Sequence, residues 1–286
     1  MKPLHMRFTK IITLLLFVNF STTIVVAQFS LFKDGDRVCF IGNSITMNGR
    51  YYKYIELFYA TRYPESKISF FNCGISGDNA GGILKRIDTD VFAHQPTWAI
   101  IMIGMNDVRR SLYQKVRQNE PGIREKQEQA LQTYYTYVDS IVRLLIKSGS
   151  KVVLQTPSIY DQTSLFETEN NFGVNDALKK CAGFLKSLSQ KYHLPVVDYW
   201  DVLNRVNEII HKKDMQATII GRDRVHPGVE GHFIMASEFL KMQNAPKYVS
   251  ELTLNVRRQR IVRMQNCTVS NIKYKKGEIS FQSLEA

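Results

Sequence analysis

Two hydrophobic periods alternate along most of this chain. Short, mostly apolar runs lie at residues 37–41, 68–72, 98–103, 151–155 and 194–198. Longer segments carry apolar residues three and four positions apart, at 51–63, 80–87, 126–147, 174–192, 199–210 and 228–242. The short runs are typical of strands buried on both faces, and the longer segments of amphipathic helices. The alternation predicts an α/β fold in which helices cover both faces of a parallel sheet of about five strands.

The pattern changes after Pro246. Four short alternating runs follow, at 251–256, 261–264, 267–272 and 278–281. Such spacing is typical of short strands joined by turns. We therefore expect a main domain over residues 28–245 and a small β-rich extension over residues 246–286, which we expect to be incomplete because its pattern ends without closing.

The first 27 residues have the pattern of a secretory signal. Lys2, Arg7 and Lys10 precede an apolar stretch at 11–18, and small residues around Ala27 offer a cleavage site. The alternative is an uncleaved anchor, but the apolar stretch is shorter than the roughly 20 residues of a spanning helix. The sequence predicts export to a bacterial periplasm or the extracellular space, without stable membrane insertion.

Charge is distributed unevenly along the chain. Of the formal net charge of +12, residues 241–286 contribute +6 and residues 28–240 contribute +3. A basic extension can meet nucleic acid, an anionic glycan or a membrane surface, but a solvated strand face is the commoner reason for such charge. We expect no nucleic-acid partner. The 4 cysteines lie far apart without a Cys-x-x-Cys pair, so neither a metal nor another cofactor is predicted, and their pairing stays open.

Residues with the chemistry of acyl transfer follow the predicted strands. Ser44, Gly77 and Asn106 lie in three loops that belong at one edge of a parallel sheet. Asp223 and His226 stand three positions apart before the last helix. His226 can take the proton of the Ser44 hydroxyl, and Asp223 can orient the imidazole. Taken alone, Ser44 after Gly42 and Asn43 is more typical of a helix cap in a strand-to-helix turn, so a catalytic role depends on the other residues.

An oxyanion hole is the remaining requirement of this chemistry. The backbone N–H groups of Ser44 and Gly77 and the side-chain amide of Asn106 are the candidate donors. Each such donor contributes roughly 3 kcal/mol to the transition state of acyl transfer.

Four segments together resemble the four blocks of the SGNH (GDSL) hydrolases. They are Gly-Asn-Ser-Ile-Thr at 42–46, Asn-Cys-Gly-Ile-Ser-Gly-Asp at 72–78, Gly-Met-Asn-Asp at 104–107 and Asp-Arg-Val-His-Pro at 223–227. The segments occur in the family's order, and the resemblance covers about residues 37–240. One departure is Asn43, which stands where the family's name-giving motif has Asp; this variant is frequent and does not imply a loss of activity.

The resemblance implies a three-layer α/β/α, flavodoxin-like fold. It implies that Ser44 is the nucleophile, that His226 and Asp223 complete the triad, and that Gly77 and Asn106 belong to the oxyanion hole. Members of the family are esterases, thioesterases, lysophospholipases and carbohydrate deacetylases, and they need no metal.

Three residues that follow Asn106 are candidates for substrate binding. If their loop borders the site, Arg109 or Arg110 can hold a carboxylate such as that of a uronic acid, and Tyr113 lies beside them. The alternative is a solvated basic loop.

The sequence thus favours an exported serine esterase that acts on O-acetylated carbohydrate. The lack of an apolar lid segment and the export signal favour a carbohydrate over a lipid. A lysophospholipase or thioesterase remains open, as does a glycan-binding module without catalysis. The acyl group, the alcohol part and the oligomeric state are not predicted.

Overall fold

A parallel sheet of five strands forms the centre of the protein. The computed structural model describes residues 28–285. The strands are β1 (Arg37–Gly42), β2 (Ser69–Gly74), β3 (Trp98–Met102), β4 (Lys151–Gln155) and β5 (Val196–Val197). Their order across the sheet is β2-β1-β3-β4-β5, and every pairing is parallel. All residues of β3 are buried, because its continuous apolar run faces helices on both sides.

Within residues 28–285, seven α-helices connect and cover the strands. They are α1 (Ser44–Asn48), α2 (Arg50–Arg62), α3 (Ala80–Asp90), α4 (Ile123–Lys147), α5 (Val174–Tyr192), α6 (Tyr199–His211) and α7 (Val229–Met242). One hydrophobic cluster joins the sheet to α3, α4 and α5, and a second joins its other face to α2, α6 and α7. Successive residues of β3 alternate between the clusters: Ala99 and Ile101 belong to the first, Ile100 and Met102 to the second. The predicted three-layer fold is confirmed.

The structure corrects several local predictions. Ser44 was expected to lie in a loop, but it begins α1, because the Asn43 side chain accepts the Ile45 N–H at 3.0 Å and caps the helix. Strand β2 extends through Gly74, into the predicted loop, and β5 has only two residues. The segment after β4 is irregular, and several of its polar residues, such as Asp161, are buried.

The C-terminal extension consists of two β-hairpins. Its strands are β6 (Glu251–Asn255), β7 (Arg260–Gln265), β8 (Cys267–Lys275) and β9 (Glu278–Glu285), paired as β6-β7 and β8-β9. The β-rich character of this region was predicted, but each hairpin forms a separate two-stranded sheet.

The predicted secretory signal, residues 1–27, lies outside the described residues. Among residues 28–285, no helix combines the length and the apolar character that a bilayer crossing requires.

Candidate active site

Ser44 lies at the carboxyl edge of the sheet, at the first position of α1. Strand β1 ends at Gly42, where a Cβ atom would collide with the Thr46 side chain and with the Met102 carbonyl oxygen. Only glycine therefore allows β1 to turn into α1 at this spacing. Asn43 is buried and caps the helix, so the motif residue next to the serine has a structural function. The sharp turn leaves Ser44 partly exposed.

Ser44, His226 and Asp223 form a continuous hydrogen-bonded row. The Ser44 Oγ lies 2.8 Å from His226 Nε2, and His226 Nδ1 lies 2.5 Å from Asp223 Oδ2. The second carboxylate oxygen of Asp223 accepts the backbone N–H groups of Val225 and His226, each at 3.0 Å. Both oxygens of the carboxylate are thus held, and its orientation toward the imidazole is fixed.

The charge on Asp223 determines how the row can work. Partial burial opposes ionisation, but the hydrogen bonds from His226 and from two backbone N–H groups outweigh it and lower the pKa of the carboxyl. An ionised Asp223 accepts the Nδ1–H of His226, which leaves Nε2 with its lone pair toward the Ser44 hydroxyl. This is the protonation pattern of a serine nucleophile with its general base.

We call residues 221–228 the acid–base turn. An isolated bridge between Ile220 and Pro227 closes it, and the Gly221 N–H donates to the His226 carbonyl oxygen at 2.7 Å. Arg224 at its centre has a left-handed φ of 65°, which is uncommon for a residue other than glycine. The chain reverses over a few residues, so Asp223 and His226 face each other.

The candidate oxyanion donors lie on loops that bond to one another. We call residues 42–44, 74–79 and 104–107 the strand-end loops. The Asn106 amide donates one N–H to the Asp78 carbonyl oxygen at 2.8 Å, and its second N–H has no partner among the described residues. Gly77 directly precedes Asp78, is exposed and has a φ of 75°, a conformation that favours glycine.

Asp107 bonds the loop at 104–107 to the start of α3. Its Oδ1 accepts the N–H of Ala80, the first residue of α3, at 2.8 Å. The Oδ2 atom is buried and has no hydrogen-bond partner among the described residues, although other parts of the residue are accessible. Burial raises the pKa of Asp107 from 3.8 to about 6, although backbone N–H groups, first that of Ala80, partly oppose the rise.

Arg86 on α3 bonds to residues before Ser44 and around the loop at 74–79. Its guanidinium forms an ion pair with Asp78 at 2.7 Å and also reaches Asp90 at 3.3 Å. The same guanidinium donates to the carbonyl oxygens of Gly42 at 3.3 Å and Cys73 at 3.0 Å. Arg86 thereby connects the backbone before Ser44 with the backbone around Gly77. Sequence reasoning missed this residue, and the only visible signal was its spacing of four from Asp90.

The structure separates the three candidate substrate-binding residues. Arg109 is exposed with a left-handed φ of 53°. Arg110 is partly buried, and its Nη1 atom has no partner among the residues described. Tyr113 is buried in a core cluster and packs against Gly173. None of the three bonds to the row of Ser44, His226 and Asp223 within the described part of the chain.

Within residues 28–285, no group of three or more His, Cys, Asp or Glu side chains is arranged to hold a metal ion. The row of Ser44, His226 and Asp223 offers acyl transfer by a serine and an imidazole.

Comparison with known proteins identifies relatives over most of the chain. A model of the GDSL-like lipase/acylhydrolase family matches residues 40–234, which include Ser44 and His226. An acetylxylan esterase of Geobacillus stearothermophilus is 30% identical over 226 residues, which are 73% of this chain and 94% of that protein. A solved structure of an acetylxylan esterase from the same organism is 26% identical, with a TM-score of 0.59 over 76% of this chain and 99% of that one.

A solved gut microbial diltiazem-metabolizing enzyme is 33% identical and has a TM-score of 0.79. The match covers 91% of this chain but only 58% of that enzyme. The family match, the curated relative and the solved structures confirm the resemblance that the four motifs indicated. The chain therefore belongs to the GDSL-like lipase/acylhydrolase family and is an ester hydrolase.

Proposed function

We propose that this protein is a serine esterase that removes O-acetyl groups from carbohydrate. The observation that carries the proposal is the row in which Ser44 Oγ lies 2.8 Å from His226 Nε2 and His226 Nδ1 lies 2.5 Å from Asp223. These are hydrogen-bond distances between a nucleophile, a base and the residue that orients the base.

The reaction would proceed through an acyl-enzyme. Ser44 Oγ attacks the ester carbonyl carbon while His226 Nε2 takes the hydroxyl proton. The oxyanion accepts hydrogen bonds from the N–H groups of Ser44 and Gly77 and from the free N–H of Asn106. The C–O bond to the alcohol breaks, and His226 returns the proton to the leaving alcohol. Water activated by His226 then attacks the acyl carbon, and acetate and free Ser44 are released.

Two observations support an acetylated carbohydrate as the substrate. The curated relative is an acetylxylan esterase that is aligned over 73% of this chain. The catalytic side chains are also open to solvent, with His226 46% and Asp223 52% exposed. Solvent-exposed catalytic side chains are accessible to an acetyl group on a bulky polymer. An enzyme for long acyl chains would instead gain affinity from a buried apolar pocket that contacts the chain.

We propose Arg110 as the group through which the loop after Asn106 contacts substrate. Arg110 is partly exposed, but its Nη1 atom is buried without a partner among the described residues, so a substrate carboxylate or hydroxyl would contact the other N–H groups of the guanidinium. Arg109 is the exposed alternative in the same loop, and Tyr113 would contribute through its packing under the loop. A loss of affinity in Arg110→Met for acidic acetylated xylan, with no loss for p-nitrophenyl acetate, would support this assignment.

The test of the function is acetate release from acetylated xylan by wild type and Ser44→Ala. We expect the substitution to lower the rate by at least ~10³-fold, because the nucleophile is lost. Parallel assays on p-nitrophenyl acetate and p-nitrophenyl octanoate should show higher kcat/KM for the acetate. An unchanged rate in Ser44→Ala would refute the serine mechanism, and a preference for octanoate would favour a lipid substrate.

We also propose that residues 1–27 direct export of the protein. Amino-terminal sequencing of the mature chain from the native host should begin near Gln28, and a cytoplasmic protein that retains Met1 would contradict export.

A further inference from the structure

Arg224 lies between the two acid–base residues, Asp223 and His226, and its side chain is almost fully buried. Only 2% of the residue is exposed. Among the residues that the structure describes, no carboxylate pairs with its guanidinium; all of its hydrogen bonds go to backbone carbonyl oxygens. The acceptors are Asp161 at 2.9 Å, Ser164 at 3.0 Å, Phe166 at 3.2 Å and Thr168 at 3.3 Å.

These bonds join the acid–base turn to one segment of chain, residues 161–168. Arg224 is an acceptor as well as a donor in this contact, because the Asp161 N–H donates to the Arg224 carbonyl oxygen at 2.9 Å. The Thr168 hydroxyl also donates to the carbonyl oxygen of Arg222 at 2.9 Å. The segment therefore holds the backbone of the turn on both sides of Asp223.

The segment is itself anchored to the rest of the domain. The buried carboxylate of Asp161 accepts hydrogen bonds from Ser164 within the segment and from Thr218, at 2.5 Å, outside it. Hydrogen bonds to this carboxylate lower its pKa despite its burial. An anchored segment can fix the turn, whereas a loose loop could not.

Two unfavourable features coincide at Arg224, which argues against an incidental arrangement. A buried guanidinium is costly unless its N–H groups are satisfied, and a left-handed φ is costly for a residue with a Cβ. Both occur at the one residue that separates Asp223 from Val225 and His226. The left-handed conformation bends the chain so that the Asp223 carboxylate reaches the N–H groups of these two residues.

We propose that Arg224 is a positioning residue for the catalytic row. Its planar guanidinium fixes the acid–base turn against residues 161–168, and this contact keeps His226 Nε2 in hydrogen-bond reach of Ser44 Oγ. The role rests on the proposed function, since the row must act as a triad for its position to affect turnover.

Arg224→Lys is the test variant, because lysine keeps the charge but cannot donate to four carbonyls in the plane of a guanidinium fork. We expect kcat on p-nitrophenyl acetate to fall about 10- to 100-fold while KM changes less than about 3-fold, since a small misplacement of a catalytic group slows the chemical step. Arg222→Lys is the matched control. Arg222 is exposed in the same turn, its guanidinium lies over the Phe166 ring, and its substitution should leave kcat unchanged.

A second readout distinguishes positioning from folding and needs no ester turnover. The proton shared by His226 Nδ1 and Asp223 should give a downfield resonance in wild type and in Arg222→Lys, and it should broaden or vanish in folded Arg224→Lys. Thr168→Val, which removes one bond to the turn without disturbing the buried guanidinium, should lower kcat about 3- to 10-fold and gives the same information if Arg224→Lys does not fold.

Three results would overturn the proposal: wild-type kcat in folded Arg224→Lys, an unchanged His226 resonance in that protein, or wild-type kcat in Thr168→Val when Arg224→Lys is unfolded. Failure of the proposed function would instead appear as full activity in Ser44→Ala, whatever the resonance shows.

Discussion

The two halves of the candidate active site are held in place by different means. The strand-end loops follow β1, β2 and β3, so the parallel sheet brings Ser44, Gly77 and Asn106 to one edge. The acid–base turn has no such support, because it lies in irregular chain between α6 and α7. One arginine contributes bonds to each half: Arg86 pairs with two carboxylates and also donates to two carbonyls, whereas the guanidinium of Arg224 bonds only to carbonyls within the described residues.

The difference shows that a parallel sheet positions the loops after its strands by backbone pairing, whereas a turn in irregular chain needs side-chain hydrogen bonds to hold its position. Arg86 reinforces loops whose origin the strands already set, and Asp78 and Asp90 compensate its charge. Arg224 connects the acid–base turn to residues 161–168, and its bonds span about 60 residues of sequence. We therefore expect substitutions in the strand-end loops to lower both the free energy of unfolding and kcat, and substitutions in the acid–base turn to lower mainly kcat.

The largest loss of kcat is expected from a substitution in the row of Ser44, His226 and Asp223, at the residue that orients His226. Asp223→Asn should lower kcat roughly 10³- to 10⁴-fold, because an amide N–H directed at Nδ1 favours the imidazole tautomer that cannot accept the Ser44 proton. Stopped-flow or steady-state hydrolysis of p-nitrophenyl acetate measures the change. Asp201→Asn, which alters an exposed aspartate paired with Arg205, is the control and should leave kcat unaffected.

Arg86→Gln tests the strand-end loops. The side chains of Arg86 and Asp78 are 13% and 9% exposed, so the substitution leaves a poorly solvated carboxylate unpaired. We expect a loss of about 3 kcal/mol in the free energy of unfolding and a fall in kcat of roughly 10-fold. Urea unfolding and ester hydrolysis measure the two quantities.

Arg205→Gln removes an exposed arginine from a helix and serves as the control for Arg86. It should cost less than about 1 kcal/mol. A stability loss in Arg86→Gln no larger than that in Arg205→Gln would mean that the Arg86 ion pair does not support the loops.

Asp107 predicts a pH effect that is specific to the strand-end loops. Its pKa is about 6 in the folded protein against an ordinary value of 3.8. Between pH 3.8 and about 6, the folded state binds more protons at this carboxyl than the unfolded state does. The free energy of unfolding therefore falls as the pH rises through this range. Above about pH 6 the contribution of Asp107 is constant. The full difference corresponds to about 3 kcal/mol.

Asp107→Asn removes this titration and keeps an oxygen acceptor for the Ala80 N–H. Its stability relative to wild type should therefore increase as the pH is raised from 4 to 7, as measured by urea unfolding at each pH. A constant difference across that range would contradict the burial that we assign to the Asp107 carboxyl.

The smallest change in kcat is expected from removal of the C-terminal extension, which belongs to neither half of the site. A chain that ends at Ala245 lacks the two C-terminal hairpins but keeps Gln243, whose side chain bonds to Tyr59 at 2.9 Å and to the Ser30 carbonyl oxygen at 3.3 Å. Its kcat on p-nitrophenyl acetate should lie within about twofold of that of the full chain, as expected for changes away from buried contacts.

Gln243→Ala in the full chain should cost about 1–2 kcal/mol in the free energy of unfolding, since buried partners lose hydrogen bonds. A large loss of turnover in the shortened chain would contradict the predicted domain boundary at residue 245 and give the extension a part in the site.

Sequence reasoning predicted those parts of the protein that depend on local pattern. The apolar run of β3 and the helical spacing of α5 predicted their positions well, because burial on the sheet dictates both patterns. Ser44 and Asn106 could be placed at one edge from strand order alone. Helix α1 was missed because five residues are too few to show a helical period, and only the cap by Asn43 marks it.

Arg86 and Arg224 could not be found from the sequence for a different reason. Their partners include backbone carbonyls, which every residue carries, and these lie as far away as Gly42, 44 residues from Arg86, and Asp161, 63 residues from Arg224. No residue type at those positions marks the contact. An arginine on a helix or beside Asp223 has the pattern of a solvated charge, and only the tertiary structure shows that Arg224 is buried.

The most direct test of the central claim is to locate the acyl group during turnover. Wild-type protein mixed with excess p-nitrophenyl acetate and quenched in acid before the steady state should carry one acetyl group, which peptide mapping by mass spectrometry assigns to Ser44. Ser44→Ala should carry none and should release p-nitrophenol without a burst. An acetyl group on another residue, or a full burst in Ser44→Ala, would contradict the account.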